Sequence, residues 1–426
     1  MKVSRFVAIG FAAIVCASHA APSRLDADEA RHLLIRTGFA PTAAEIDAIT
    51  GRSAEQAVDD IIGAAKRAQF RHTLPQEAVA APPAQREVQA MSQGERQMAR
   101  RDQIREGIDI KEWWMREMIE TPTPLAERMT LFWHGHFATS QQKVVRADAM
   151  WRQQQLLRAS ALGSFREMLH GVARDPAMLV YLDGARSRKE APNENFAREV
   201  MELFTLGEAT QGGGYTEQDI REAARAFTGW SLERDDFSFR FRPALHDFGP
   251  KTVLGKSGDL DGDQVLDILL DQPQAARFIV EKLWVEFVSP TPDPREVESI
   301  AQRFRASNYD IAVAMRELLL SRDFWDVANR NSLVKSPVEL VVGAVRELGV
   351  RNLDLKPLVQ KSAQLGQNLL APPNVKGWPG YTEWINATTL LERRRFADQL
   401  VAYMPGDTQR MSAFRQAAME PGYQLK

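Results

Sequence analysis

In the stretch "LFWHGHFATS", two histidines, His134 and His136, flank a glycine inside a run of large apolar residues. An H-x-H pair can ligate a metal, exchange protons or fill a core, and the backbone decides which. In a helix, residues two apart diverge by about 200°, so the two rings cannot share one ion; in an extended segment they lie on one face. The spacing of Leu125, Met129, Phe132 and Trp133 predicts a helix reaching at least Trp133, with the pair at or just past its C-terminal end. Cationic imidazole is favoured there by the helix dipole. Two histidines supply only two ligands, so a metal or acid–base site needs further groups. The candidates are Glu199, Glu202, His246 and Asp247.

Those candidates sit on elements that can be read locally. In "PNENFAREVMELFTLGEA", Asn193 caps a helix ending at Gly207, and Phe196, Val200, Leu203 and Phe204 form its buried face. Asn195, Glu199 and Glu202 line one flank of that face, where a carboxylate is costly unless it is paired or works. Arg198 lies further round, four residues from Glu194 and from Glu202. In "YTEQDIREAARAFTGW", Thr216 and Asp219 form a capping box and Gly229 stops the helix. Trp230 then plugs the core or walls a cleft. His246, Asp247 and Lys251 fall on a turn, where an Asx-type turn and a loop-borne site look alike. Trp378, in "NVKGWPGYTEW", is either a core plug or a surface on which a sugar ring stacks. In "DLDGDQVLD" the glycine comes fourth where an EF-hand needs it sixth, so a helix cap at Asp261 or Asp263 is the better reading. The chain has no nucleophile elbow, phosphate loop, dinucleotide fingerprint or HExxH motif. No cofactor is indicated, and the identity of any metal is unknown.

The whole chain sets the frame. Residues 1–20 run from Lys2 and Arg5 through an apolar stretch to Ser18-His19-Ala20, which reads as a cleaved signal peptide. The only cysteine, Cys16, leaves with it, so the mature chain has no disulfide to stabilise it. A periplasmic or secreted location follows, with no membrane span in the mature chain. Loss of Lys2 and Arg5 takes the formal net charge from −2 to −4, and the basic residues alternate with acidic ones, unlike a nucleic-acid footprint.

The expected organisation is an N-terminal helical unit over 21–72 and a Pro/Gln-rich mobile linker or excursion over 73–107. A main helical domain over 108–403 and a tail over 404–426 complete it. The fold is expected to be mainly α, a multi-helix body with one small β-hairpin near 237–255. Phe237, Phe239 and Phe241 alternate with polar residues in that hairpin, and "TVLG" returns as the partner strand.

Taken in order, "LFWHGHFATS", "DPAMLVYLDG", "PNENFAREVMELFTLG", "YTEQDIREAARAFTGW", "HDFGPKTVLG", "DGDQVLDILLDQPQAARFIVEKLW" and "NVKGWPGYTEWINATTLLERRRFA" resemble the bacterial family called domain of unknown function 1800, from about residue 25 to 403. The resemblance implies an exported, mostly helical protein and brings no catalytic residues. It also implies a partner, an exported protein resembling alkaline phosphatases and sulfatases that is encoded nearby. Two functions fit these observations. One is an extracytoplasmic hydrolase-like or acid–base enzyme with a His/Glu cleft built from His134, His136, Glu199, Glu202 and His246. The other is a non-enzymatic helical scaffold that binds a cell-envelope polymer or the exported partner.

Overall fold

The computed structural model describes residues 21–74, 79–80, 82–83, 85–350, 353–401 and 408–426. The signal-peptide reading of residues 1–20 lies outside them. The chain is mainly α, as the periodicity predicts, with two small antiparallel two-stranded sheets.

Local chemistry starts the helices. Thr216 with Asp219 forms the expected capping box and Thr42 with Glu45 forms another, each side chain bonding the other residue's backbone N–H. Asp261, with Gln264, caps the helix Gly262–Asp271, so the acidic loop is a helix start. Within the segment read as an excursion, Ser92 and Glu95 form one more box and open a helix at Gln93 that runs unbroken to Glu120. Only its second half has an apolar face, from Gly107 through Ile110, Trp113, Trp114 and Met118. In the first half the large apolar residues Met98 and Ile104 are isolated and exposed, which is why the pattern of apolar residues alone does not reveal it.

The helix Pro124–His136 runs through the centre of the molecule. It packs against helices Ala27–Thr37, Ala54–Lys66, Gln93–Glu120 and Ala147–Ser160. One connected apolar core extends from Leu25 to Ala418 and includes Ile46, Val58, Trp114, Leu283, Val341 and Phe414. The N-terminal unit is tied to the body by buried polar contacts: His32 Nε2 donates to the Phe324 carbonyl (2.9 Å), and Arg36 donates to the carbonyls of Phe287 (3.1 Å) and Val288 (2.9 Å). The C-terminal residues join the body as well. Leu333 and Lys426 exchange backbone hydrogen bonds, and helix Thr408–Met419 lies against helix Ala387–Val401.

Near the expected hairpin there are two. Strand Phe239–Phe241 pairs with the preceding strand Trp230–Leu232, in register Trp230 with Phe241 and Leu232 with Phe239. Strand Lys251–Val253 pairs instead with Lys256–Gly258. The helix stop at Gly229 (φ +83) turns the chain directly into the first strand, so "TVLG" is left to close its own turn. Among the described residues no helix is long and apolar enough to cross a membrane.

Candidate functional site

Both histidines of "HGH" lie in the last turn of helix Pro124–His136, so they point to opposite sides. His134 packs edge-on against Trp114 and Trp378, with ring centroids 5.7 and 5.3 Å away. Its Nε2 is buried without a hydrogen-bond partner. Burial, helped by Lys111, pushes its pKa down to about 3. His136 faces the other way, with Nε2 3.2 Å from the Phe204 carbonyl. A carbonyl can only accept, so Nε2 carries the proton and Nδ1 is the acceptor of this neutral ring. Burial, then Lys282, holds its pKa well below the usual value. At neutral pH neither ring is the cation that the helix end would favour.

The Phe204 carbonyl is available because the helix from Asn193 finishes as a π-helix over Val200–Leu206. Thr205 Oγ1 donates to the Val200 carbonyl (2.7 Å), His136 takes that of Phe204, and Gln274 Nε2 takes that of Leu206 (3.2 Å). The orphan acceptors of the helix end are thus satisfied by side chains from two other helices.

His136 opens onto a cleft of about 440 Å3. Helix Pro273–Phe287 supplies one wall through Phe278, Glu281 and Lys282, and the segment 376–384 supplies another through Lys376, Trp378 and Tyr381. The second wall sits close to the histidine helix because residue 377 is glycine, whereas Gly135 leaves room for an ordinary contact. A Cβ on Gly377 would lie 2.2 Å from the Gly135 carbonyl oxygen, and one on Gly135 would lie 3.5 Å from the Trp378 ring.

Lys282 Nζ is 3.3 Å from His136 Nδ1 and 4.8 Å from the centre of the Phe278 ring. It therefore donates to the imidazole and forms no ion pair with a carboxylate among the described residues. Burial lowers its pKa to about 8. Beside it, burial raises the pKa of Glu281, with Arg277 opposing. Deeper in the cleft two carboxylates are shared between two bonded cations. Arg128 bonds Glu286 (2.5 Å) and Glu339 (2.7 Å), and Lys426 Nζ bonds Glu339 (2.5 Å) and lies 3.4 Å from Glu286.

The other residues singled out by sequence are placed as follows. Glu199 and Glu202 lie half-buried on the flank of the Asn193 helix; burial and then Glu202 raise the pKa of Glu199. Both carboxylates act electrostatically on Lys376, which bonds Glu208 (2.8 Å), so this flank meets the cleft at Lys376. Asn195 is exposed. Arg198 forms a two-pronged pair with Glu217 (2.8 and 2.7 Å) rather than with Glu194 or Glu202, because the next helix brings a carboxylate into line with its fork. Trp230 is buried against Phe196, Phe227 and Phe239. His246 Nδ1 donates to the Thr228 carbonyl (2.8 Å) and its ring lies between Phe241 and Phe248. Asp247 holds Arg225 (2.7 and 3.2 Å) and the Gly249 N–H (2.8 Å). Lys251 donates to the Gly249 carbonyl (3.0 Å) and faces Asp259 (3.5 Å). His246, Asp247 and Lys251 are thus bound up in the hairpins, while His136 and Trp378 share the cleft. Among the described residues no group of three or more His, Asp or Glu could hold a metal ion.

A family model described as protein of unknown function (DUF1800) matches residues 32–424. The chain belongs to this family. No curated protein and no solved structure matches it. In this DUF1800 chain the groups missed by the sequence reading are Lys282, Glu281 and Arg128, whereas Tyr381 belongs to the aromatic turn "NVKGWPGYTEW" that the sequence offers as a core plug or a sugar-stacking surface. Lys282 follows Phe278 by four residues beside the apolar stripe of Ile279, Leu283 and Phe287. Any amphipathic helix carries lysines at such positions, and only the tertiary contact with His136 sets this one apart.

Proposed function

We propose that this DUF1800 protein is an acid–base enzyme whose working group is Lys282, in the cleft between the "HGH" helix and the "KGWPGY" wall. The observation that carries the reading is the contact of the Lys282 ammonium with the acceptor nitrogen of a neutral, tautomer-locked His136. An ammonium paired with a carboxylate stays charged, whereas Lys282 is bonded only to a neutral imidazole, whose single accepted hydrogen bond does not offset the burial that lowers its pKa. With a pKa of about 8, about a tenth of the amines are neutral at pH 7, against less than about one in a thousand for a solvated lysine. The neutral amine takes a proton from a bound substrate and the ammonium returns one. Glu281, moved upward by burial, provides a second titrating group on the same wall. The leader-like residues 1–20 support a substrate outside the cytoplasm, and a cell-envelope polymer fits that setting.

The test incubates the wild-type protein, Lys282→Met and Lys282→Arg with solubilised envelope polymers and follows released products by mass spectrometry. The wild type is expected to release product at a rate that rises through about pH 8. Both variants should lose about a hundredfold or more, arginine included because a guanidinium does not deprotonate in this range. Undiminished turnover in both variants, or polymer held by the wild type without turnover, would overturn the enzyme reading, the second outcome in favour of a binding scaffold.

A further inference from the structure

Tyr381 stands at the mouth of the cleft with its backbone in the left-handed region (φ +53). For a bulky aromatic this is a strained conformation, of the kind that persists where the surroundings or the function require it. Its neighbour Gly380 could take that conformation freely, yet lies at φ −112 and ψ 172. A Cβ on Gly380 would meet nothing within 4 Å. The strain thus falls on the residue that carries the ring, and the glycine able to relieve it is one place away. The ring itself is 39% exposed, so burial in the core is not what holds it.

The wall behind it has the same character. Trp378 lines the cleft and its indole N–H is buried with no acceptor among the described residues. On the wall formed by helix Pro273–Phe287 stand groups that exchange hydrogen bonds with hydroxyls, the Lys282 ammonium and the Glu281 carboxyl. Aromatic faces on one side with donors and acceptors on the other suit a molecule that is apolar on its flat face and polar round its edge. A pyranose ring with equatorial hydroxyls is such a molecule, since its axial C–H bonds pack on an aromatic face and its hydroxyls point sideways.

We propose that the cleft binds a glycan whose pyranose rings carry equatorial hydroxyls, one of which stacks on the wall formed by Tyr381 and Trp378. The proposal names the substrate class of the site described above and rests on that reading for the location of the working groups. It makes Tyr381 a binding residue whose face, and not its hydroxyl, is used.

The test measures binding of cellotetraose and of chitotetraose to the full chain by calorimetry, with sorbitol as the ring-free control, for the wild type, Tyr381→Phe, Tyr381→Ala and Tyr381→Gly. At least one tetrasaccharide should bind and sorbitol should not. Tyr381→Phe should bind like the wild type, and Tyr381→Ala should bind at least tenfold more weakly. Tyr381→Gly should lose binding to the same degree while melting no lower than the wild type, which separates a lost platform from a damaged fold. Absence of binding by both tetrasaccharides, or equal affinity in Tyr381→Ala and the wild type, would overturn the proposal. Failure here with a Lys282-dependent turnover of another polymer would remove the glycan and keep the enzyme. Tyr381-dependent binding with turnover that ignores Lys282 would do the reverse.

Discussion

Glu339→Gln is the perturbation whose cost follows most directly from the geometry. Glu339 is 2% exposed and its Oε1 is shared by Arg128 (2.7 Å) and Lys426 (2.5 Å), while Oε2 accepts the Ser336 N–H (2.7 Å) at the start of helix Pro337–Leu348. Burial alone would raise its pKa; Arg128 and then Lys426 reverse that and hold it below the usual carboxylate range. Two cations and two carboxylates are bonded to one another here, and Arg36, Lys335 and Arg393 also act on Glu339, so the amide leaves uncompensated positive charge at depth. Breaking a buried pair in this way costs about 3–5 kcal/mol. Glu286 still neutralises one cation, which places the expected loss near the lower end, about 3 kcal/mol. The helix cap survives because the glutamine Oε1 also accepts the Ser336 N–H, so the loss reports charge and not capping. The sign in pH is fixed as well. A depressed carboxyl contributes stability above its unfolded pKa of 4.5 and loses it as pH falls through the lower folded value. Urea denaturation at pH 7 and at pH 3 provides the assay: the gap between wild type and variant should be about 3 kcal/mol at pH 7 and smaller at pH 3. A variant within about 0.5 kcal/mol of the wild type at pH 7 would refute the reasoning, since that is the size of an ordinary surface substitution.

Other consequences are as direct. Asp175 caps helix Pro176–Tyr181 and accepts from Gln153 (2.8 Å), yet burial raises its pKa from 3.8 to about 7. The folded state therefore binds a proton that the unfolded state releases, and stability falls by up to about 4 kcal/mol as pH rises from 4 to above 7. Asp175→Asn, which keeps the capping oxygen, should flatten that slope in urea titrations and be at least as stable as the wild type at pH 8. His170 joins helices Phe165–Ala173 and Gly262–Asp271 by bonding Asp263 and Asp267 (3.1 Å each), and its pKa is raised, first by Asp263. Its contribution is fully present below pH 6.5 and lost as pH rises through the higher folded value, so His170→Ala should cost about 1 kcal/mol at pH 6 and nearly nothing at pH 9. Gly377→Ala puts a methyl 2.2 Å from the Gly135 carbonyl oxygen at φ +86 and should lose at least about 2 kcal/mol by urea denaturation.

Much of the fold is legible in the chain because its signals are local. The boxes at Thr42 and Thr216, the stop at Gly229 and the apolar stripes each need only a few neighbours to be read. Helix Gln93–Glu120 was readable too, from Ser92 and Glu95, but its first half carries no apolar stripe and so looks like a linker. The site is less legible. The angle between His134 and His136 follows from helix geometry once the helix is known to reach residue 136, whereas the partner of each does not. Lys282 is 146 residues from His136, and Trp378 is further still. Nothing in "FIVEKLW" marks its lysine, because a desolvated amine is a property of the assembled cleft. The hairpin trio of His246, Asp247 and Lys251 shows the opposite case: chemically promising residue types whose hydrogen bonds go to nearby turns.

The acid–base role of the cleft depends on the titration of one amine, Lys282. Protein labelled with carbon-13 at the lysine Cε positions, titrated from pH 6 to 12 by NMR with Lys282→Arg to assign the signal, measures it without any substrate. A desolvated Lys282 should titrate with a midpoint of about 8 while exposed lysines titrate near about 10.4. A Lys282 midpoint at or above that reference value would show that the ammonium is not desolvated against His136, and would contradict the assignment of the cleft as an acid–base site.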